Sequence, residues 1–183
     1  MKPERDSVDL IREKGFIGQE FLTWLYYRYD SQGEVIRLED GTHTEVIFEQ
    51  FMTLEGGDGD AQETVTCRGP RAELHEAKSA LQTGKKVSKA RIRLSNGDLQ
   101  WKFTMDAATL DMSSLKVPKT VSAGDEEADD LSFEGRVLER AYMLEQAVDA
   151  VNALFKTFLA IRLDTNRWTV EKRGIREWIF KDA

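Results

Sequence analysis

The stretch 85–105 constrains the fold more than any other part of this chain. Lys86, Ser88, Ala90, Ile92 and Leu94 alternate with Lys85, Val87, Lys89, Arg91 and Arg93, the period of a strand with two unlike faces. Asn96-Gly97 follows, a dipeptide suited to a type I′ turn because both central positions of that turn need positive φ. With those two residues in the turn, Leu94 pairs with Leu99, Ile92 with Trp101, and Ala90 with Phe103. The opposite face then pairs Arg93 with Gln100, Arg91 with Lys102, and Lys89 with Thr104. One face is apolar. The other carries Lys89, Arg91, Arg93 and Lys102 without an acid.

The strands around this hairpin follow from the same reasoning. Across 34–68 the period is again two, with Val46, Phe48, Met52 and Leu54 on one face and Glu45 and Glu49 on the other. The glycine-aspartate run at 56–60 reads as the loop of a second hairpin returning into 63–68. It is not a calcium loop, because a loop starting at Asp58 has Gly69 where the bidentate glutamate belongs. A further strand is expected over 110–117, closed by Pro118. The helices fall outside this region. Phe16, Glu20, Phe21, Trp24, Leu25 and Arg28 have helical spacing, and 71–82 reads as a short helix opened by Pro70.

The acid-rich stretch 119–131 reads as a solvated loop, after which a long helix spans 132–162. Its stripe of Val137, Ala141, Leu144, Val148, Val151, Phe155 and Phe158 is expected to cover the core, with a coiled-coil seam as the lesser alternative. A last short helix is expected at about 170–180. The fold class is therefore α+β. An antiparallel sheet of about five or six strands packs against a long C-terminal helix, with an N-terminal helix beside it. Residues 1–15 read as a flexible N-terminus and 16–183 as a single domain.

Composition removes most chemistries. Two histidines 32 positions apart and one cysteine, Cys67, assemble no zinc site of ordinary composition and no internal disulfide. No phosphate loop, dinucleotide fingerprint or nucleophile elbow is present. The carboxylates at 125–130 lie in a charge run, where their pKa values are not tuned for acid–base work. The chain thus reads as non-enzymatic, with no cofactor and no metal. No apolar run approaches the roughly 18 residues that cross a bilayer, and the first residues lack a secretion signal. A cytoplasmic protein is expected. With 33 acids and 26 bases the net charge is −7, which argues against a uniformly basic coat for nucleic acid but not against a local patch.

The basic hairpin face is such a patch. Like charges opposite one another across a strand pair repel, and an anionic partner relieves them. Nucleic-acid phosphates are the commonest such partner, and contact with them needs no motif beyond placement. The alternative is an ordinary solvated face whose compensating acids arrive from 119–131. No stacking set of exposed aromatics accompanies the patch, which favours duplex over single strands. The crowding of Trp24, Tyr26, Tyr27 and Tyr29 at the end of the first helix suggests either core or an oligomer contact.

At the same hairpin the chain resembles a known family. Leu81-Gln82-Thr83-Gly84-Lys85-Lys86-Val87-Ser88-Lys89-Ala90-Arg91-Ile92 is similar to a stretch in the C-terminal half of the RdgC family, the recombination-associated proteins. Trp101-Lys102-Phe103-Thr104-Met105, then Leu115-Lys116-Val117-Pro118, then the acid-rich loop before a long helix continue the similarity in order. Phe16-Ile17-Gly18-Gln19-Glu20-Phe21-Leu22-Thr23-Trp24-Leu25 resembles shorter members, so the similarity spans roughly 16–163. It implies a sequence-independent binder of double-stranded DNA that restrains RecA, associates with the nucleoid and closes as a ring-shaped homodimer. Family members are longer, and the N-terminal half that helps close their ring has no counterpart here. The family's basic position before the short helix corresponds to Arg68 and Arg71, and its glycine-lysine strand to Gly84, Lys85 and Lys89. With the hairpin cations, the expected DNA contacts are Arg68, Arg71, Lys85, Lys89, Arg91, Arg93 and Lys102. The reading from another class is a protein–protein interaction module without DNA binding.

Overall fold

In the computed structural model, residues 16–57, 61–69, 72–118 and 131–181 are described. Ten elements follow in order: α1 (Phe16–Gln32), β1 (Val35–Arg37), β2 (His43–Gly56), β3 (Glu63–Arg68), α2 (Ala72–Gln82), β4 (Lys86–Asn96), β5 (Leu99–Asp106), β6 (Met112–Lys116), α3 (Leu131–Leu163) and α4 (Thr165–Phe180). The strands form one antiparallel six-stranded sheet in the order β1-β2-β4-β5-β6. β3 pairs with β2 on the edge that β1 also uses, β1 at residues 43–45 and β3 at 51–56. The architecture is the α+β one expected. Arg71, the 1–15 segment, the loop tip at 58–60 and the acid-rich 119–130 lie outside the described residues.

The apolar face of the central hairpin is the floor of the core. Ile92, Leu94, Trp101, Phe103 and Met105 are all buried, as are Val46, Met52 and Leu54 beside them. α1 lies over β4, and the Val87 amide donates to Thr23 Oγ1 at 3.0 Å. Gly18 permits this approach, since a Cβ there would stand 1.8 Å from the Ala107 carbonyl oxygen. α3 crosses β5, where the Trp101 indole N–H donates to the Met143 carbonyl at 2.8 Å. α4 closes the layer through Trp178, which packs on Tyr26 and Tyr27, and through Glu171, which accepts from Arg28 and the Trp24 indole at 2.7 Å each. The helix contacts all fall on this one side of the sheet.

Three expectations change, and one left open between core and oligomer contact is decided for core. The hairpin register is displaced by two residues: Asn96 pairs with Leu99, Leu94 with Trp101, Ile92 with Phe103, Arg93 with Lys102 and Arg91 with Thr104. The turn residues are Gly97 and Asp98. Gly97 has φ 59°, whereas Asp98 is not among the residues with positive φ. Positive φ at the first central position alone is the type II′ pattern, which asks for glycine there and moves Asn96 into the strand. A two-residue displacement preserves parity, so both faces keep their residues while the partners change.

The second change lies at the start of β4. Thr53 opposes Lys89 and Leu54 opposes Val87, leaving Ser88 as an extra residue. Such a bulge inverts the alternation. Val87 therefore enters the core, and Lys85 is buried rather than lying on the open face. The open expectation concerns the aromatic end of α1, which is used internally. Trp24 and Tyr26 are buried, while Tyr29 packs on Phe48.

The third change concerns α3. Val137, Ala141, Leu144 and Val148 point away from the body, Val137 being 52% exposed, and the flanking Leu138 is 71% exposed. The later part of the expected stripe, Val151, Phe155 and Phe158, does pack on the core, and Met143, Ala147, Leu154 and Ile161 join it in place of the earlier part. Two apolar lines with 4-and-3 spacing overlap on this helix.

Candidate nucleic-acid interface

Among the described residues no helix covers the outer face of the sheet, and that face gathers most of the expected cations. β4 supplies Lys89, Arg91 and Arg93, β5 supplies Lys102, and β3 supplies Arg68 at its last residue. Strand pairing sets them in rows. Arg93 lies opposite Lys102, and Lys102 lies opposite Lys116 of β6, so three cations span three strands. Lys116 was not expected in the set, although its strand was. Its place follows from β6 pairing with β5, which no local pattern announces.

β2 shapes the centre of this face. Phe48 opposes Ile92 and Met52 opposes Ala90, so Glu49, Gln50 and Phe51 all oppose the single residue Arg91. Bulges re-aim side chains and bend the strand that carries them. Here the bulge helps form an open pocket of about 460 Å³ lined by Gln50, Phe51, Arg68, Lys89, Arg91 and Thr104. Three cations from two strands thus meet in one concavity. The Arg68 guanidinium stands 5.7 Å from the centre of the Phe51 ring, a cation–π contact that holds it at the pocket wall. Arg91 is exposed and makes no ion pair among the described residues.

The face is not free of acid. Glu49, delivered by the bulge, stands 3.0 Å from Lys102 Nζ and 3.8 Å from Arg93 Nε. The latter distance is too long for a hydrogen bond, and Arg93 Nε is buried without a partner. Asp106 stands 3.1 Å from Lys89, opposite which the displaced register places it. Among the described residues the compensating acids come from β2 and from the end of β5, and the acid-rich 119–130 expected to supply them lies outside those residues. Glu49 had a signal in the sequence, as it shares the polar face of its strand, but that β2 pairs with β4 was not readable.

Lys85 stands apart. Its Nζ lies 2.6 Å from Glu63 and 3.0 Å from Thr83 Oγ1, and its aliphatic stem packs below Gly56. Glu63 is in turn held below the usual glutamate range by the hydrogen bond and the charge of Lys85. This lysine is a buried strut with its counterion in place.

Among the described residues, no group of three or more His, Cys, Asp or Glu side chains could hold a metal ion. No helix there is long and apolar enough to cross a membrane. Comparison with family profiles, with curated proteins and with solved structures finds no match to this chain.

Proposed function

We propose that the open sheet face binds the phosphate backbone of double-stranded DNA without sequence preference, and that the protein is a non-enzymatic modulator of homologous recombination of the RdgC kind. The observation that supports this reading is the convergence of Arg68, Lys89 and Arg91 on one open pocket, with Arg91 lacking a counterion among the described residues. Phosphate contacts of this type position a duplex and carry no base information. A chain of net charge −7 meets DNA through such a patch only, which fits an acidic protein whose exposed cations gather on an open sheet face. A nucleoid-associated, cytoplasmic location and an indirect effect on RecA belong to the same proposal.

Fluorescence anisotropy with a random duplex over a salt series tests it. Each neutralised phosphate contributes about −0.9 to the slope of log affinity against log salt, so contacts from Arg68, Lys89, Arg91 and Lys102 give roughly −3.6 per protomer. Arg68→Glu with Arg91→Glu should abolish binding, because both side chains are exposed and neither is a structural ion pair. Lys172→Glu with Arg173→Glu, on the helical side, should weaken it much less. Equal losses would mean that bulk charge governs binding.

One observation favours the second reading, an interaction module. The outward line of α3 is bare apolar surface over several turns, including Phe133, Val137, Leu138 and Tyr142, and contiguous exposed apolar surface marks interaction sites. A homodimer formed through this line joins the two readings. Light scattering that gives 20.9 kDa across the micromolar range would exclude it. No binding of duplex DNA at low salt would leave the interaction module as the function.

A further inference from the structure

A second cationic site lies on the helical side of the sheet, away from the proposed DNA face. It is a pocket of about 550 Å³ between α1, the start of β4 and α4, a size within the usual range for small-molecule sites. Its apolar wall is Trp168, Ile175 and Ile179. Its rim carries Lys86 from β4 and Lys172, Arg173 and Arg176 from α4.

The charges on this rim are only partly balanced. Lys172 and Arg176 are four residues apart, and Arg173 and Arg176 three apart, spacings at which like charges on a helix repel. Neither Lys172, Arg173 nor Arg176 makes an ion pair among the described residues, and all three are exposed. Two nearby acids are already engaged, one of them partly with a rim cation. Glu20, which also lines the pocket, lies 2.7 Å from Arg162 and 3.8 Å from Lys86. Glu171 is taken by Arg28 and the Trp24 indole.

Four cations around an apolar wall suit a ligand with a multiply charged anionic end and an apolar or planar body. Guanidinium groups match phosphate geometry in particular, through paired N–H donors. The indole of Trp168 is already ordered by the Arg162 guanidinium 4.8 Å from its centre and by the edge of Phe158. Such a ring presents a fixed apolar surface at little entropic cost.

We infer that this pocket binds a small phosphate monoester with an apolar or planar body, its phosphate held by Lys86, Arg173 and Arg176 and its body against Trp168, Ile175 and Ile179. An alkyl phosphate and a mononucleotide share this chemistry. Calorimetric titration of the full chain with hexyl phosphate, adenosine monophosphate, inorganic phosphate and hexanol separates them. One of the two phosphate monoesters should bind one-to-one and at least tenfold more tightly than either inorganic phosphate or hexanol. Tighter binding of hexyl phosphate identifies a lipid-like ligand, and tighter binding of the nucleotide identifies a nucleotide.

Arg173→Gln with Arg176→Gln, which keeps polar helix-forming side chains, should weaken binding at least tenfold with an unchanged circular dichroism spectrum. Arg68→Glu with Arg91→Glu should leave it intact. Affinity for both monoesters no greater than for inorganic phosphate would overturn the inference, as would undiminished binding in the glutamine pair. So would displacement of the bound monoester by duplex DNA, which would make the pocket part of a DNA footprint. Because the two double variants fall on opposite sides of the sheet, failure here and failure of the DNA reading are told apart.

Discussion

The two faces of the β4–β5 hairpin are built from alternate residues of the same strands, yet they are held by different physics. On the inner face, Ile92, Leu94, Trp101, Phe103 and Met105 are each at most 5% exposed, and helices close over them. Their position is set by burial, which is non-directional and tolerates a change of strand partner as long as parity is kept. On the outer face, Lys89, Arg91, Arg93 and Lys102 are placed by pairing, and two acids, Glu49 of β2 and Asp106 at the end of β5, answer three of the four. A two-residue displacement is therefore harmless inside and decisive outside. It gives Lys89 an aspartate as its neighbour on β5 and sets Arg91 opposite Thr104 there, with no ion pair for Arg91 among the described residues.

The sharpest way to break this comparison is at Trp101. Truncation to alanine removes a ring that lies under α3 together with the hydrogen bond to the Met143 carbonyl. The expected loss of stability is about 3–5 kcal/mol, as for other buried aromatic truncations, read from denaturant melts. Wild-type stability would show that the apolar face is not the core floor.

Glu49 tests the outer face. It is the shared neighbour of Arg93 and Lys102, at side-chain exposures below one third for itself and for Arg93. Glu49→Gln should cost about 1 kcal/mol, since partly buried pairs are worth more than the surface median but less than a fully buried pair. The same change should raise duplex affinity and steepen the salt slope, because two cations lose their internal competitor. A stability loss without any gain in affinity would mean that Arg93 and Lys102 serve the fold alone.

The parts of the structure that were legible from sequence share one property: a pattern reports what kind of surface a segment has. The hairpin faces, the helix over 71–82 and the α1 core residues are of that kind. What was not legible is which surface meets which. On α3, two apolar lines overlap, and only the sheet's position selects Met143, Ala147 and Leu154 over Val137, Leu144 and Val148. The β2 bulge contains neither glycine nor proline, so nothing in Glu49-Gln50-Phe51 marks it, though it brings both Glu49 and Phe51 to the site. The start of α4 lies five residues before the expected 170, although its signal is in plain view. Asp164 caps it, its side chain accepting from the Asn166 and Arg167 amides at 2.9 and 3.0 Å, a standard role for aspartate at a helix start. For the candidate interface, five of the seven expected cations lie on the open face, Lys85 is a strut, and Arg71 lies outside the described residues.

The smallest expected effect comes from that strut, and it separates a structural lysine from the exposed cations by pH. The carboxyl of Glu63 is held low by the hydrogen bond and charge of Lys85. A depressed folded-state pKa stabilises the fold above the unfolded-state value, and that contribution is lost as pH falls through the lowered folded value. Carbon-detected NMR titration should therefore place the Glu63 midpoint below that of a model glutamate. In Lys85→Met the midpoint should return to the ordinary range, since no other group lowers it. The exposed Arg91 is the contrast. Arg91→Ala should leave the Glu63 midpoint where it is and the stability unchanged to within about 0.5 kcal/mol, while the salt slope of DNA binding becomes shallower by about 0.9. A Glu63 midpoint that ignores Lys85 would return this lysine to the set of cations available to DNA.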